Sequence, residues 1–77
     1  MRLSEVPVGT SVRIQHLSTQ AEVSRRLRAL GLCEEAEVLC IVRGRGNLIC
    51  GVRNTRIGLD QALAGSIVVS LAEQGMV

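Results

Sequence analysis

The chain has 77 residues, 47% of them apolar and none of them Phe, Tyr or Trp; its nine basic residues are all arginine and leave a formal charge of +2 against seven acids. A chain this short supports one domain with one core, here built from Val, Ile, Leu and Ala, and a stability on the order of 5 kcal/mol. The missing rings argue against stacking of single-stranded bases, docking of proline-rich peptides and methyl-lysine cages, and the net charge is too mild for a dedicated nucleic-acid binder.

No apolar run approaches the roughly 18 to 20 residues of a membrane span, and the opening Met-Arg-Leu-Ser-Glu lacks the apolar region of a signal peptide, so a cytoplasmic protein is expected. Cys33, Cys40 and Cys50 are odd in number and widely spaced, unlike a secreted disulfide framework, and are expected to be reduced thiols.

In chain order, Leu3, Val6 and Val8 precede Gly9-Thr10, after which Val12 and Ile14 alternate with Arg13 and Gln15 as a half-buried strand requires; the first strand is predicted over about 11–17. Ser18 or Thr19 can cap the following helix, with Glu22 three residues after Thr19 completing a capping box. Val23, Leu27 and Leu30 then share one side at helical spacing, Arg25 and Arg28 point away, Arg26 lies at the edge of the apolar stripe, and Gly31 stops the helix in the left-handed position.

The segment 38–42 is apolar at every position and reads as a central strand covered on two sides. Gly44-Arg45-Gly46 breaks it. A three-residue loop would pair Arg43 with Asn47, set Val42 opposite Leu48, Cys40 opposite Cys50 and Val38 opposite Val52 on one face, and set Ile41 opposite Ile49 and Glu37 opposite Arg53 on the other. Asn54-Thr55 is a second turn, followed by a short strand over 56–59; Asp60 caps a helical turn through Ala64, Gly65 ends it, and residues 67–71 make the last strand, with 72–77 a frayed tail. The fold class is therefore mainly β: a small SH3-like barrel of about five strands, with one helix after the first strand and a helical turn before the last, and no linker, repeat or low-complexity segment.

Leu3-x-x-Val6-x-x-Gly9, Arg26-Leu27-x-x-Leu30-Gly31-Leu32, Glu37-Val38, Arg56-Ile57-Gly58-Leu59 and Ala64-x-x-Ile67-x-Val69, in that order and spacing, resemble the FeoA family of bacterial ferrous-iron transport over roughly residues 3–71. The resemblance implies an SH3-like barrel, a cytoplasmic location and a supporting role for a FeoB-like GTP-binding membrane transporter. Related domains end iron-dependent repressors, so a small regulatory or nucleic-acid-associated barrel is the alternative. Three loops depart from the family pattern: Glu34-Glu35-Ala36 stands where a Pro-Gly turn is common, the Gly44-Arg45-Gly46-Asn47 loop lacks a proline, and Asp60 replaces a frequent basic residue.

Nothing in the residues suggests catalysis. His16, the only histidine, ends a strand with no recognisable base-and-nucleophile pattern, and Gly44-Arg45-Gly46 reads as a hairpin rather than a phosphate-binding loop. The cysteine spacings of six and nine residues differ from the close pairs of zinc or iron-sulfur sites; Cys40 and Cys50 read as core, Cys33 as the more exposed thiol, and no cofactor or metal is expected. Partner binding is the function expected from local chemistry. Arg25, Arg26 and Arg28 offer bidentate contacts to acidic side chains, with Leu32 as an exposed apolar neighbour; the same arginines also suit a plain solvated helix face. Self-association through short strand edges is a third possibility.

Overall fold

The computed structural model describes residues 1–72. Strands β1 (Ser11–Leu17), β2 (Glu37–Arg43), β3 (Asn47–Val52), β4 (Thr55–Asp60) and β5 (Ile67–Leu71) form one antiparallel sheet in the order β4-β3-β2-β1-β5. The sheet curls in SH3-like fashion without closing, so β4 and β5 are its two edges. Helix α1 (Ala21–Ala29) joins β1 to β2, and a single turn, α2 (Gln61–Ala64), joins β4 to β5. Alternation produces the inner face: Val12, Ile14, Val38, Cys40, Leu48, Cys50, Val52, Ile57, Leu59, Ile67 and Val69 are buried in one cluster with Leu27 and Leu32 from around the helix.

A 3-10 turn at Leu3–Glu5, which no sequence signal announced, plugs this core with Leu3 and Val6. The Arg43 guanidinium straps it down by donating to the carbonyls of Ser4 and Val6. On the other side, the Val69 amide donates to Met1 O and Arg2 bridges to Val68, so the N-terminal residues cover part of the β5 edge.

Several expectations need correction. The first concerns the start of α1. The Ser18 amide donates to Ser66 O at 2.7 Å, prolonging the β1–β5 ladder. The chain therefore stays extended through Gln20 (φ −65°, ψ 152°), and Gln20 is the N-cap with no side-chain cap bond, in place of Ser18 or Thr19. The second concerns the β2–β3 hairpin. Cys40 pairs with Cys50 as expected, and Leu39 with Gly51, but Ile41 is a bulge beyond which Val42 pairs with Ile49 and Arg43 with Leu48. The bulge absorbs one residue, so the turn tightens to Arg45-Gly46, closed by the Gly44 amide on Asn47 O at 2.9 Å, with Gly46 left-handed at φ +76°.

The slip turns Val42 outward. Val42, Leu39 and Ile49 are 48%, 40% and 38% exposed, so β2 is covered on one face only, not two. Arg53 lies in the β3–β4 turn rather than opposite Glu37: Arg53 and Asn54 both take positive φ (52° and 64°), as a tight hairpin of the type I′ class requires, and Glu37 pairs with Arg13 of β1. The remaining elements agree with the sequence: Asp60 caps α2 by accepting from the Leu63 amide at 2.7 Å, and Gly65 ends it. Ala72, expected in a frayed tail, is tied by its amide to Ser11 O at 3.1 Å; the rest of that expected tail, 73–77, lies outside the described residues.

Candidate functional site

The basic face is built by helix α1 and the way its C-terminal end is locked. Leu27 and the half-buried Val23 face the core, with Ser24 buried between turns. At the C-terminal end, Gly31 sits at φ +97°, its amide donates to Arg28 O at 3.0 Å and the Leu32 amide to Leu27 O at 2.9 Å. These two bonds are the Schellman pattern, which brings the residue after the glycine back onto the last inward turn. Leu32 is accordingly fully buried, beside Leu27 in the core. It is not the exposed neighbour of the arginines that the sequence suggested. Leu30, expected on the apolar stripe, is 53% exposed and takes that place. The two leucines have exchanged roles because the left-handed glycine reverses the chain direction between them.

Arg25 and Arg26 are exposed and, among the described residues, enter no ion pair. Arg28 is exposed but occupied: its Nε and Nη2 donate to the two carboxylate oxygens of Glu34 at 3.2 and 2.9 Å, a fork-to-fork contact. The hydrogen bond and charge of Glu34 raise the Arg28 guanidinium further. In return, the hydrogen bond from Arg28, helped by a backbone amide, holds the Glu34 carboxyl down at about 2. Arg28 thus fastens α1 to the connector before β2 and leaves Arg25, Arg26 and Leu30 as the free outer face. The pairing crosses the Gly31 turn at a spacing of six residues, so no helical-spacing rule reveals it.

That connector makes a tight turn at Cys33–Ala36. The Ala36 amide donates to Cys33 O at 3.0 Å, and Glu35 takes φ +72°, the conformation a glycine would adopt without cost. The Glu35 amide on Ile14 O (2.8 Å) and the Ile14 amide on Ala36 O (2.9 Å) hold it there. An open groove of about 610 Å³ lies beside the turn, walled by Glu34, Glu35 and Glu37 and faced by Arg53. Among the described residues no three His, Cys, Asp or Glu side chains come together as a metal site would require. Cys40 and Cys50 are fully buried and directly opposed across the β2–β3 pair, and burial pushes the Cys50 thiol up to about 11, with Cys40 nearby adding to it. Cys33 is half-buried and His16 lies exposed on β1. No helix among the described residues is long and apolar enough to cross a membrane.

The FeoA domain family matches residues 1–71, almost the whole chain. The chain belongs to the FeoA family. Its members are associated with ferrous iron transport, as the sequence resemblance implied. A crystal structure of FeoA from Stenotrophomonas maltophilia complexed with zinc, described as a prokaryotic SH3-domain protein and a candidate activating factor of bacterial ferrous iron transport, is 34% identical; the match covers 91% of this chain and 89% of that one, with a TM-score of 0.76. The solution structure of the FeoA protein of Chlorobium tepidum shares 20% identity over 99% of this chain and 74% of that one, at a TM-score of 0.84. The T. acidophilum protein IdeR has a similar unit covering 94% of this FeoA chain but 34% of its own length, at 15% identity and a TM-score of 0.82; that likeness concerns the fold alone. Among curated proteins no sequence matches this chain.

Proposed function

We propose that this FeoA-family chain is a non-catalytic, cytoplasmic accessory protein of ferrous-iron uptake that binds and modulates the cytoplasmic part of a FeoB-like GTP-binding transporter. The observation that carries the reading is the outer face of α1. Arg25, Arg26 and Leu30 are all exposed on a helix whose end is fixed by the Gly31 cap and the Arg28–Glu34 fork, with Arg26 on the side that borders α2. Two guanidinium groups beside an exposed leucine suit an acidic, partly apolar partner surface, and a pre-fixed helix loses little freedom on docking. Arg28 contributes indirectly, by holding the helix, and Leu32 through the core.

The test is co-purification. Tagged protein is incubated with detergent-solubilised membranes that contain the transporter, at low and at moderate salt. The proposal expects the transporter to be retained by the native chain and lost with Arg25→Glu/Arg26→Glu. Retention of nucleic acid, with steep salt dependence, would instead favour the repressor-like alternative.

A further inference from the structure

The outer face of the sheet, on the side away from α1, carries its own pattern. Direct cross-strand partners share a face, so the registers define three outward rows across β2, β3 and β4. The central row is Val42–Ile49–Gly58, all exposed. On one side lies Leu39–Gly51–Arg56, with Leu39 and Arg56 exposed; on the other lies Gly44–Asn47–Asp60, also exposed. Gly58 leaves open space where a side chain would stand, and an open groove of about 460 Å³ runs there between Val42, Ile49 and Asp60. Arg56 enters no ion pair among the described residues, and Asp60 uses one oxygen for the Leu63 amide, leaving the other open.

This surface is complementary to itself. Along β4 each residue advances about 3.3 Å, so Arg56 and Asp60 lie at equal distances on either side of Gly58. A two-fold axis along the central row brings the rows of two copies together in opposite sense. Arg56 of each then meets Asp60 of the other, Leu39 meets the Gly44 end of β2, where the Asn47 side chain lies, and Val42 and Ile49 meet their own counterparts. Opposite charges coincide at both corners and the apolar centre is shared. A closed isologous contact needs this reciprocity.

We infer that the β2–β3–β4 outer face is a self-association surface, and that its occupant is a second copy of this chain related by a two-fold axis through the Val42–Ile49–Gly58 row. A face of three short strands belongs to the small interfaces, so the dimer is weak and its population depends on concentration. The inference rests on other residues than the α1 reading, although Asp60 and Arg26 border one groove.

Sedimentation equilibrium from about 1 µM to about 1 mM decides it. The native chain is expected to rise from the monomer mass to twice that mass. Arg56→Asp sets two carboxylates against each other at both corners and weakens the dimer at least tenfold. An equimolar mixture of Arg56→Asp with Asp60→Arg restores opposite charges at both corners and restores dimerisation, although each variant alone dimerises at least tenfold more weakly than the native chain. Asp60→Arg also removes the cap of α2; should it fail to fold, Ile49→Glu, exposed and set against its own copy, abolishes the dimer while circular dichroism stays native. A monomer at every concentration overturns the inference and leaves this face to a partner of another kind. A dimer indifferent to both Arg56→Asp and Ile49→Glu overturns it by placing the contact elsewhere.

Discussion

Glu35 stands in left-handed backbone at φ +72°, and replacing it by glycine turns that geometry into a measurable quantity. A side chain in this region costs about 1–2 kcal/mol through the approach of its Cβ to the following carbonyl. Glycine removes the cost but gives the unfolded chain more freedom, worth about 0.4–1 kcal/mol in the other direction. The bonds that fix the turn, Glu35 N–H to Ile14 O, Ala36 N–H to Cys33 O and Ile14 N–H to Ala36 O, are all backbone and survive the exchange. Glu35→Gly is therefore expected to stabilise the protein by about 0.5–1 kcal/mol, which for a chain of this size raises Tm by roughly 2–8 °C. Thermal melts by circular dichroism, with urea titrations to show an unchanged m-value, give the readout. Gly31→Ala supplies the opposite sign. At φ +97° the new Cβ would meet its neighbours only at ordinary contact distances, 3.6 Å from Arg53 Cδ and 3.8 Å from Val52, so the net loss, about 0.5–1 kcal/mol after the same unfolded-chain correction, would be conformational. An unchanged or lowered Tm for Glu35→Gly would refute the reasoning, because it would mean that the turn is not strained by the side chain it carries.

The two leucines around Gly31 separate core from surface: Leu32→Ala is expected to cost about 2–4 kcal/mol, a large share of the total stability, whereas Leu30→Ala changes it by less than about 0.5 kcal/mol, as urea denaturation will show. Glu34 should titrate near 2 by NMR and rise towards the ordinary carboxylate range in Arg28→Gln, the backbone amide keeping part of the depression. Because its folded value lies below the unfolded one, its contribution to stability is complete above about 4.5 and disappears as the pH falls through about 2; Glu34→Gln removes that part of the acid dependence.

Local patterns were readable from the chain alone. Alternation placed β1, helical spacing placed α1, Asp60 and Gly65 bounded α2, and the opposition of Cys40 and Cys50 followed from matching the faces of two apolar strands. What stayed hidden depends on interactions between segments. The bulge at Ile41 has no signal in a run where every residue is apolar, so the outward turn of Val42 could not be foreseen. Arg53 takes left-handed backbone because the β3–β4 hairpin needs two such residues, and arginine does not advertise it. The helix start moved to Ala21 because a tertiary bond from Ser18 to Ser66 outcompeted the local caps.

The candidate site was legible in part for the same reason. Arg25 was placed on the outer face and Arg26 at the edge of the apolar stripe by periodicity alone, and both are exposed. The Arg28–Glu34 fork required knowing how the chain turns after the helix. The burial of Leu32 was available in principle, since a residue following a helix-ending glycine commonly packs on the last inward turn, here Leu27.

A direct titration of the purified chain against the isolated cytoplasmic part of a FeoB-like transporter, followed by calorimetry at moderate salt, tests the central claim. The account predicts saturable binding that Arg25→Glu/Arg26→Glu/Leu30→Ala weakens at least tenfold, a loss of about 1.4 kcal/mol or more, while leaving the fold intact. Absence of binding by the native chain, or binding that the triple variant leaves unchanged, would contradict it.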